Sequence, residues 1–351
     1  MTETAKQKNE GGVDWRNLLQ RIVSVPAIGP LLALIAAALF FYTQNERFLS
    51  LNTISIILNQ NSWIAVLAIG QTLIILTAGI DLSNGSAMAV GMVVTAELAV
   101  NQAMDPLLAL LIGFGVTIAF GIFNGLLVTQ LDLPPFIVTL GTLNIAFAMT
   151  RLVSTTIIRP LPELHTFFGN RFSFRDLLPD GIEPAVTNLI GEAAMDTRFA
   201  YGIVATLALY FIFWLILRET DFGRHIYAIG DDPESARLMG IPVNRVLVMV
   251  YGLAGFTYAF AGWLLLGRLT SGDPNVGQTA NLDTITAVVI GGTSLFGGRG
   301  NILGTLIGAL IVGVFITGLQ SIGVPILYQR LITGVLVIAA VALDQFSQRI
   351  R

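Results

Sequence analysis

The sequence predicts an all-α, polytopic integral membrane protein with about ten transmembrane helices. Three observations carry that reading. Of 351 residues, 54% are hydrophobic and only 12% are charged, half the roughly 25% of an average soluble domain. The charges are also segregated: Ile22–Asn45, Phe48–Ile80, Pro106–Leu131, Leu133–Thr150, Phe199–Leu217, Val246–Gly267 and Gly300–Gln329 contain no Asp, Glu, Lys or Arg. Each is long enough to cross ~30 Å of hydrocarbon at 1.5 Å per residue. Finally, the runs are continuous, whereas outer-membrane strands alternate over about ten residues. A soluble enzyme, a nucleic-acid-binding domain and an outer-membrane barrel are thereby excluded.

In chain order, residues 1–21 form a polar, cytosolic tail without an A-x-A-like cleavage site, so a retained helix follows rather than a signal peptide. Residues 22–346 form the transmembrane domain, and residues 347–351 a second cytosolic tail. Phe48–Ile80 exceeds one crossing but falls short of the about 40 residues two would need. It reads as an interfacial lead-in, Phe48–Leu58, and a span near Ser62–Ala78. Leu82–Met104 is broken only by Glu97. Two short spans, Thr284–Gly298 and Ile326–Phe346, complete the set, with Arg330 snorkelling from the second. An even count places both termini on one side, and the cytosolic assignment puts eleven of the 19 lysines and arginines inside, in keeping with the positive-inside bias. Two polar segments interrupt the pattern: an outer loop, Thr155–Arg198, too long for a passive connection, and an inner segment, Arg218–Arg245, with six spans before it and four after.

The inner segment carries explicit helix signals. Asp232 is a good N-cap, Pro233 suits the first helical position and Glu234 favours the positive end of the dipole. Gly240 is placed for a left-handed C′ residue and Pro242 prevents continuation. The spacing predicts a two-turn helix, Pro233–Met239. A helix that short needs something to pack on. It is either an ordinary connector on the membrane face or a rigid peg that a cytosolic motor grips through Ala236, Arg237, Leu238 and Met239.

Elsewhere, Asp81 and Ser83 in GIDLSNGS are placed to cap the next helix, with Gly79 and Gly85 permitting a tight re-entry; an ion site at Asp81 is the sharper alternative. The glycine-rich Gly291–Gly304 has no Gly-Lys-Ser/Thr and is not a phosphate cradle. Its glycines, with the small-xxx-small pairs Gly304/Gly308 and Gly121/Gly125, suit a re-entrant turn and close helix packing. Polar residues within apolar helices are candidates for a solute path: Gln60, Asn61, Gln71, Thr72, Asn124, Thr139 and Asn144. Gln60/Gln71 and Asn61/Thr72 are eleven residues apart and share faces within about 20°. Hydrogen bonding across helix contacts is the alternative role for each. The chain has no cysteine and two histidines. His165 and His225 read as solvated loop residues without metal-ligand spacing. No catalytic or metal site is expected, and no cofactor bound by this chain.

GRHIYAIGDDPESARLMGIPVNR (Gly223–Arg245) resembles the coupling-loop motif of ATP-binding-cassette (ABC) permeases for monosaccharides, the ribose/xylose/arabinose/galactose group. GIDLSNGS, LPPFIVTLGTL (Leu133–Leu143) and LDTITAVVIGGTSLFGGRGNILGTLIGALIVG (Leu282–Gly313) resemble further signatures of that group, in the same order. Departures are Met239, Asp231-Asp232 and the long outer loop. The resemblance implies a fold similar to the vitamin B12-type (type II) ABC importer permeases. It implies a bacterial inner-membrane location, a second permease chain (homo- or heterodimer), a cytosolic ABC ATPase that uses ATP and Mg, and a periplasmic sugar-binding protein. It also implies alternating access for a pentose or hexose in a lipid bilayer. Within the permease class, nucleoside, autoinducer or branched-chain amino acid cargo stays open. An ion-coupled secondary transporter is the rival class; it requires midplane ionisable residues and two related halves, whereas mid-span carboxylates are few here and the division is lopsided.

Overall fold

The computed structural model describes residues 28–178, 182–335, 338 and 342. Both expected terminal tails lie outside the described residues. The first five helices are α1 (Ile28–Gln44), α2 (Leu51–Leu76), α3 (Asn84–Val100), α4 (Pro106–Gln130) and α5 (Pro135–Val153). An outer segment with α6 (Glu163–Thr166), β1 (Arg171–Ser173), α7 (Phe174–Leu177), α8 (Glu183–Ile190), α9 (Glu192–Met195) and β2 (Arg198–Ala200) follows. Next come α10 (Tyr201–Glu219), α11 (Asp221–Asp231), α12 (Pro233–Leu238), α13 (Val243–Leu269), α14 (Ala280–Ile290) and α15 (Ile302–Ser321). Residues 326–335 are again helical. Among the described residues, six helices are long and apolar enough to cross a membrane, and α1, α3 and α14 are shorter apolar helices. The chain is a multi-pass, mainly helical membrane protein.

The all-α expectation is amended by one antiparallel pair, Arg171↔Ala200 to Ser173↔Arg198, which closes the outer segment on itself. The division of Phe48–Ile80 is also corrected. Ser50 caps α2 by accepting from the Thr53 amide at 3.3 Å, and the helix then runs unbroken for 26 residues. Asn59, Gln60 and Asn61 do not interrupt it, because Asn61 finds a partner in the Ala309 carbonyl of α15. The Thr284–Gly298 span is in fact the eleven-residue α14, roughly half a bilayer at 1.5 Å per residue. It stops at Gly291, beyond which Gly292, Gly297 and Gly298 have φ of +87°, +85° and +65°.

Helix α13 forms the axis, packed on α2, α3 and α4. Its Tyr251 and Tyr258 are fully buried, as are Leu67, Leu73 and Ile74 of α2, whereas Leu32, Leu111 and Phe211 are more than half exposed. Apolar side chains outward suit a lipid surround. Close approach inside is set by small residues: a Cβ on Gly121 would lie 2.3 Å from the Tyr251 carbonyl oxygen, and one on Gly304 2.1 Å from that of Gly291. The outer segment is clamped to α13 by Phe168 against Trp263 (4.5 Å between centroids) and by the Trp263 indole N–H donating to the Leu164 carbonyl at 3.0 Å. His165 is not the solvated residue expected. It is buried, with Nε2 at 2.9 Å from the Pro106 carbonyl, and burial pulls the imidazole pKa down.

Candidate functional site

The inner segment folds as two consecutive helices. The first, α11, was not read from the sequence. Thr220 caps it by accepting from the Gly223 amide at 3.2 Å, and Gly223, Ile226, Ile229 and Gly230 form its buried stripe. That 3.6-residue period was the available signal, hidden by the polar residues between its members. Its end is wedged against the bundle: a Cβ on Gly230 would sit 1.8 Å from the Leu76 carbonyl oxygen, and Tyr227 donates to the Gly300 carbonyl at 3.1 Å. Thus α11 touches both the last residue of α2 and the glycine turn before α15.

The second helix, α12, spans Pro233–Leu238, with Met239 at the C-cap. Asp232 Oδ1 accepts from the Glu234 amide at 3.0 Å and Oδ2 accepts from the Ser235 hydroxyl. The Ser235 hydroxyl, then the Ser235 and Glu234 amides, hold the Asp232 carboxyl below the usual carboxylate range. At the other end Gly240 has φ +86°. Its amide donates to the Arg237 carbonyl at 2.9 Å and that of Ile241 to the Ala236 carbonyl at 3.1 Å, a Schellman-type closure. Ala236 is buried beneath, while Leu238 is 88% and Met239 69% exposed. Arg237 pairs with Glu234 at 3.0 Å, and Asn244 donates to the Thr129 carbonyl at the end of α4 at 3.3 Å. The result is a capped knob, apolar at its tip, whose base meets α11 and the start of α13, itself bonded to the end of α4.

The expected path residues divide into two groups. Asn61 and Thr72 share a face of α2, as their spacing requires, and both meet α15: Asn61 through Ala309, Thr72 through Thr305 at 2.9 Å. Gln71 accepts from Asn84 at 2.9 Å, Asn124 donates to the Ser83 hydroxyl at 2.9 Å, and Thr139 donates to the Ile80 carbonyl at 3.0 Å. All five are buried. Asn144 is exposed and donates to its own helix at Leu140. Gln60 lines a cavity at the far end of α2.

Asp81 does not cap α3 as expected. Its Oδ1 accepts from the Ser83 amide and hydroxyl, both at 2.7 Å, and Oδ2 accepts from Tyr258 at 3.0 Å. The carboxyl therefore ties the α2–α3 turn to α13. The left-handed residue of that turn is Ala78, φ +59°, rather than Gly79. Gly85 is there for proximity: a Cβ on it would lie 2.2 Å from the Gly277 carbonyl oxygen. Glu97 sits in the last turn of α3, accepting from Asn101 at 2.7 Å. Among the described residues no cluster of His, Cys, Asp and Glu could hold a metal.

Residues 53–341 match the family described as branched-chain amino acid transport system / permease component. The fructose import permease protein FrcC of Rhizobium meliloti is 41% identical over 346 residues, covering 95% of this chain and 91% of its own. The ribose import permease protein RbsC of Bacillus subtilis is 37% identical, covering 91% and 92%. The galactose/methyl galactoside import permease protein MglC of Escherichia coli is 36% identical, covering 90% and 92%. No solved structure matches the chain. With a family match over most of its length and relatives aligned nearly end to end, the chain belongs to this permease-component family, in the monosaccharide ABC permease group that its motifs resemble.

Proposed function

We propose that this chain is the membrane-spanning subunit of an ATP-driven importer that carries a pentose or hexose across the bacterial inner membrane by alternating access. The observation that carries the reading is the knob Pro233–Leu238, explicitly capped at both ends and apolar at its exposed tip. It projects from the end of the bundle opposite the elaborated outer segment; α13, which joins the two ends, is 27 residues long, about 40 Å. A helix of this length holds its shape only through its caps and its base, so it transmits displacement as a rigid body. Asp232, Pro233, Glu234, Ala236, Arg237, Leu238, Met239 and Gly240 are the coupling residues in this reading. A separate cytosolic ATPase, using ATP and Mg, grips Leu238 and Met239, since this chain has no Gly-Lys phosphate loop. Driving the inward- and outward-facing populations from 1:99 to 99:1 requires about 5.5 kcal/mol of differential stabilisation.

The bundle has about ten transmembrane helices, counting the half-length α14, and a type II permease fold, with both termini cytosolic. A second permease chain completes the path, and a periplasmic sugar-binding protein docks on residues 155–198. Gln60 and Asn144 lie at the path, and the buried amides and hydroxyls set the rigid bodies that move. The test is transport by the reconstituted permease–ATPase complex. Arg237→Glu or Gly240→Glu should abolish ATP-dependent uptake of labelled fructose, ribose and galactose while leaving membrane insertion intact. Unchanged uptake in both variants refutes the knob as the coupling element, and uptake driven by a proton gradient with an inactive ATPase refutes ATP-driven import.

A further inference from the structure

At the end of the bundle opposite the knob, a cavity of about 200 Å³ is lined by Ile56, Asn59, Gln60, Gly169, Arg171 and Arg268. It lies where the outer turns of α2, the last turn of α13 and the folded outer segment meet. Its backbone is held in place, and the side chains of Ile56, Arg171 and Arg268 are exposed on it. Gly169 is pressed so closely on α13 that a Cβ there would lie 1.9 Å from the Gly267 carbonyl oxygen. Arg268 crosses from α13 to α2, donating Nη1–H to the Gln60 carbonyl at 3.0 Å, which leaves its other N–H groups for a guest. Neither Arg171 nor Arg268 joins an ion pair among the described residues. The Arg175 guanidinium nearby is instead taken up by Glu183 and Asp196, both at 3.1 Å.

This lining is specific in its chemistry. Guanidinium groups donate only, side-chain amides both donate and accept, and Ile56 supplies one apolar wall. No carboxylate lines the cavity, so a cationic guest gains nothing there. The space corresponds to about seven waters at ~30 Å³ each, the scale of one sugar ring with its hydroxyls and more than a single carboxylate fills. We propose that this cavity is a docking position for a neutral monosaccharide within the permease, where Arg171 and Arg268 donate to ring hydroxyl oxygens and Asn59 and Gln60 donate and accept. The proposal rests on the import reading above and adds to it a location and a donor set. A cradle with several hydrogen bonds and little apolar surface holds its guest weakly, as a transit position must.

The test uses the permease–ATPase complex in proteoliposomes with its sugar-loaded binding protein, comparing wild type with Asn59→Ala and Gln60→Ala. Both positions are away from the Gly169–Gly267 contact, and unfolding temperature in detergent is the control for folding. Labelled uptake should fall at least about fivefold, the factor that one lost hydrogen bond represents, while ATPase stimulation by the binding protein is retained, so that more ATP is spent per sugar. A parallel fall in stimulation and uptake would instead make these side chains contacts for the docking protein's carboxylates and overturn the proposal, as would unchanged uptake in both variants. Failure of the import reading is distinguishable, because the wild type would then show no ATP-dependent uptake. A second measurement exploits the absence of cysteine: with Ile56→Cys in the cavity lining as the sole thiol, maleimide labelling should be slowed at least about twofold, as expected for half-occupancy, by millimolar ribose, fructose or galactose but not by acetate. Protection by acetate alone refutes the sugar assignment.

Discussion

Two side chains show how the same residue type serves opposite ends of this molecule. Asp232 is exposed and caps a knob in water; Asp81 is buried and bonds a turn to α13. The Asp232 carboxyl is held below its ordinary value, so the folded state binds fewer protons than the unfolded one. Its stabilisation is complete above the unfolded aspartate value of about 3.9 and is lost as pH falls through the lower folded value. Protection factors of the Glu234 and Ser235 amides, with the intrinsic pH dependence of exchange divided out, should therefore fall under acid in the wild type and stay flat in Asp232→Asn, whose side chain caps without titrating. At Asp81 the expected experiment is Tyr258→Phe, which removes the hydrogen bond from Tyr258 to Oδ2. Leaving a buried acceptor unpaired costs about 1–3 kcal/mol, to be read as a lowered unfolding temperature in detergent.

Among the elements, the half-length α14 and the glycine turn after it depend most on contact. A Cβ on Gly308 of α15 would lie 1.9 Å from the Ala287 carbonyl oxygen of α14, backbone against backbone, so no rotamer change relieves it. Gly308→Val should separate the pair and destabilise the fold by about 1–3 kcal/mol or more, whereas Gly115→Val, with open space around it, should not. Comparing the two unfolding temperatures checks the claim. The small-xxx-small spacing was legible in the sequence because it is local. That α14 would be only eleven residues long was half legible: Gly291-Gly292-Thr293-Ser294 suit a re-entrant turn, but the uncharged stretch runs on through Leu295 and Phe296 to Gly298 and reads as one short span. Helix α11 escaped for the converse reason: its stripe is buried by α2 and the glycine turn, both far away in sequence.

Across the whole molecule the outer segment and the knob occupy opposite ends of one bundle, and both are anchored on α13. Burial lowers the His165 pKa, so the folded state resists the proton. The contribution of His165 is present above the unfolded histidine value of about 6.5 and is lost as pH falls through that value toward the lower folded one. Protection factors across residues 163–169, with the intrinsic pH dependence of exchange divided out, should fall between neutral and mildly acid pH, and His165→Asn should abolish that fall. An unchanged wild-type profile would mean that the imidazole does not hold the outer segment in place. The expectation of a solvated His165 failed because a polar neighbourhood in sequence says nothing about which carbonyl lies opposite, here that of Pro106, the first residue of a different helix.

The sequence alone determined that this is a membrane-spanning helical protein, where most of its apolar helices lie, and where the knob starts and stops. Those properties are local: hydropathy acts over a single span, and Asp232, Pro233 and Gly240 act on the backbone within one turn. Only the tertiary structure decided which polar residues face one another. Asn61 and Thr72 meet α15, Asn124 meets Ser83, and Gln60 is left at a cavity with Arg268. Hydrogen-bond partners far apart in the chain are chosen by the way the helices cross, a distance and an angle that no single segment encodes.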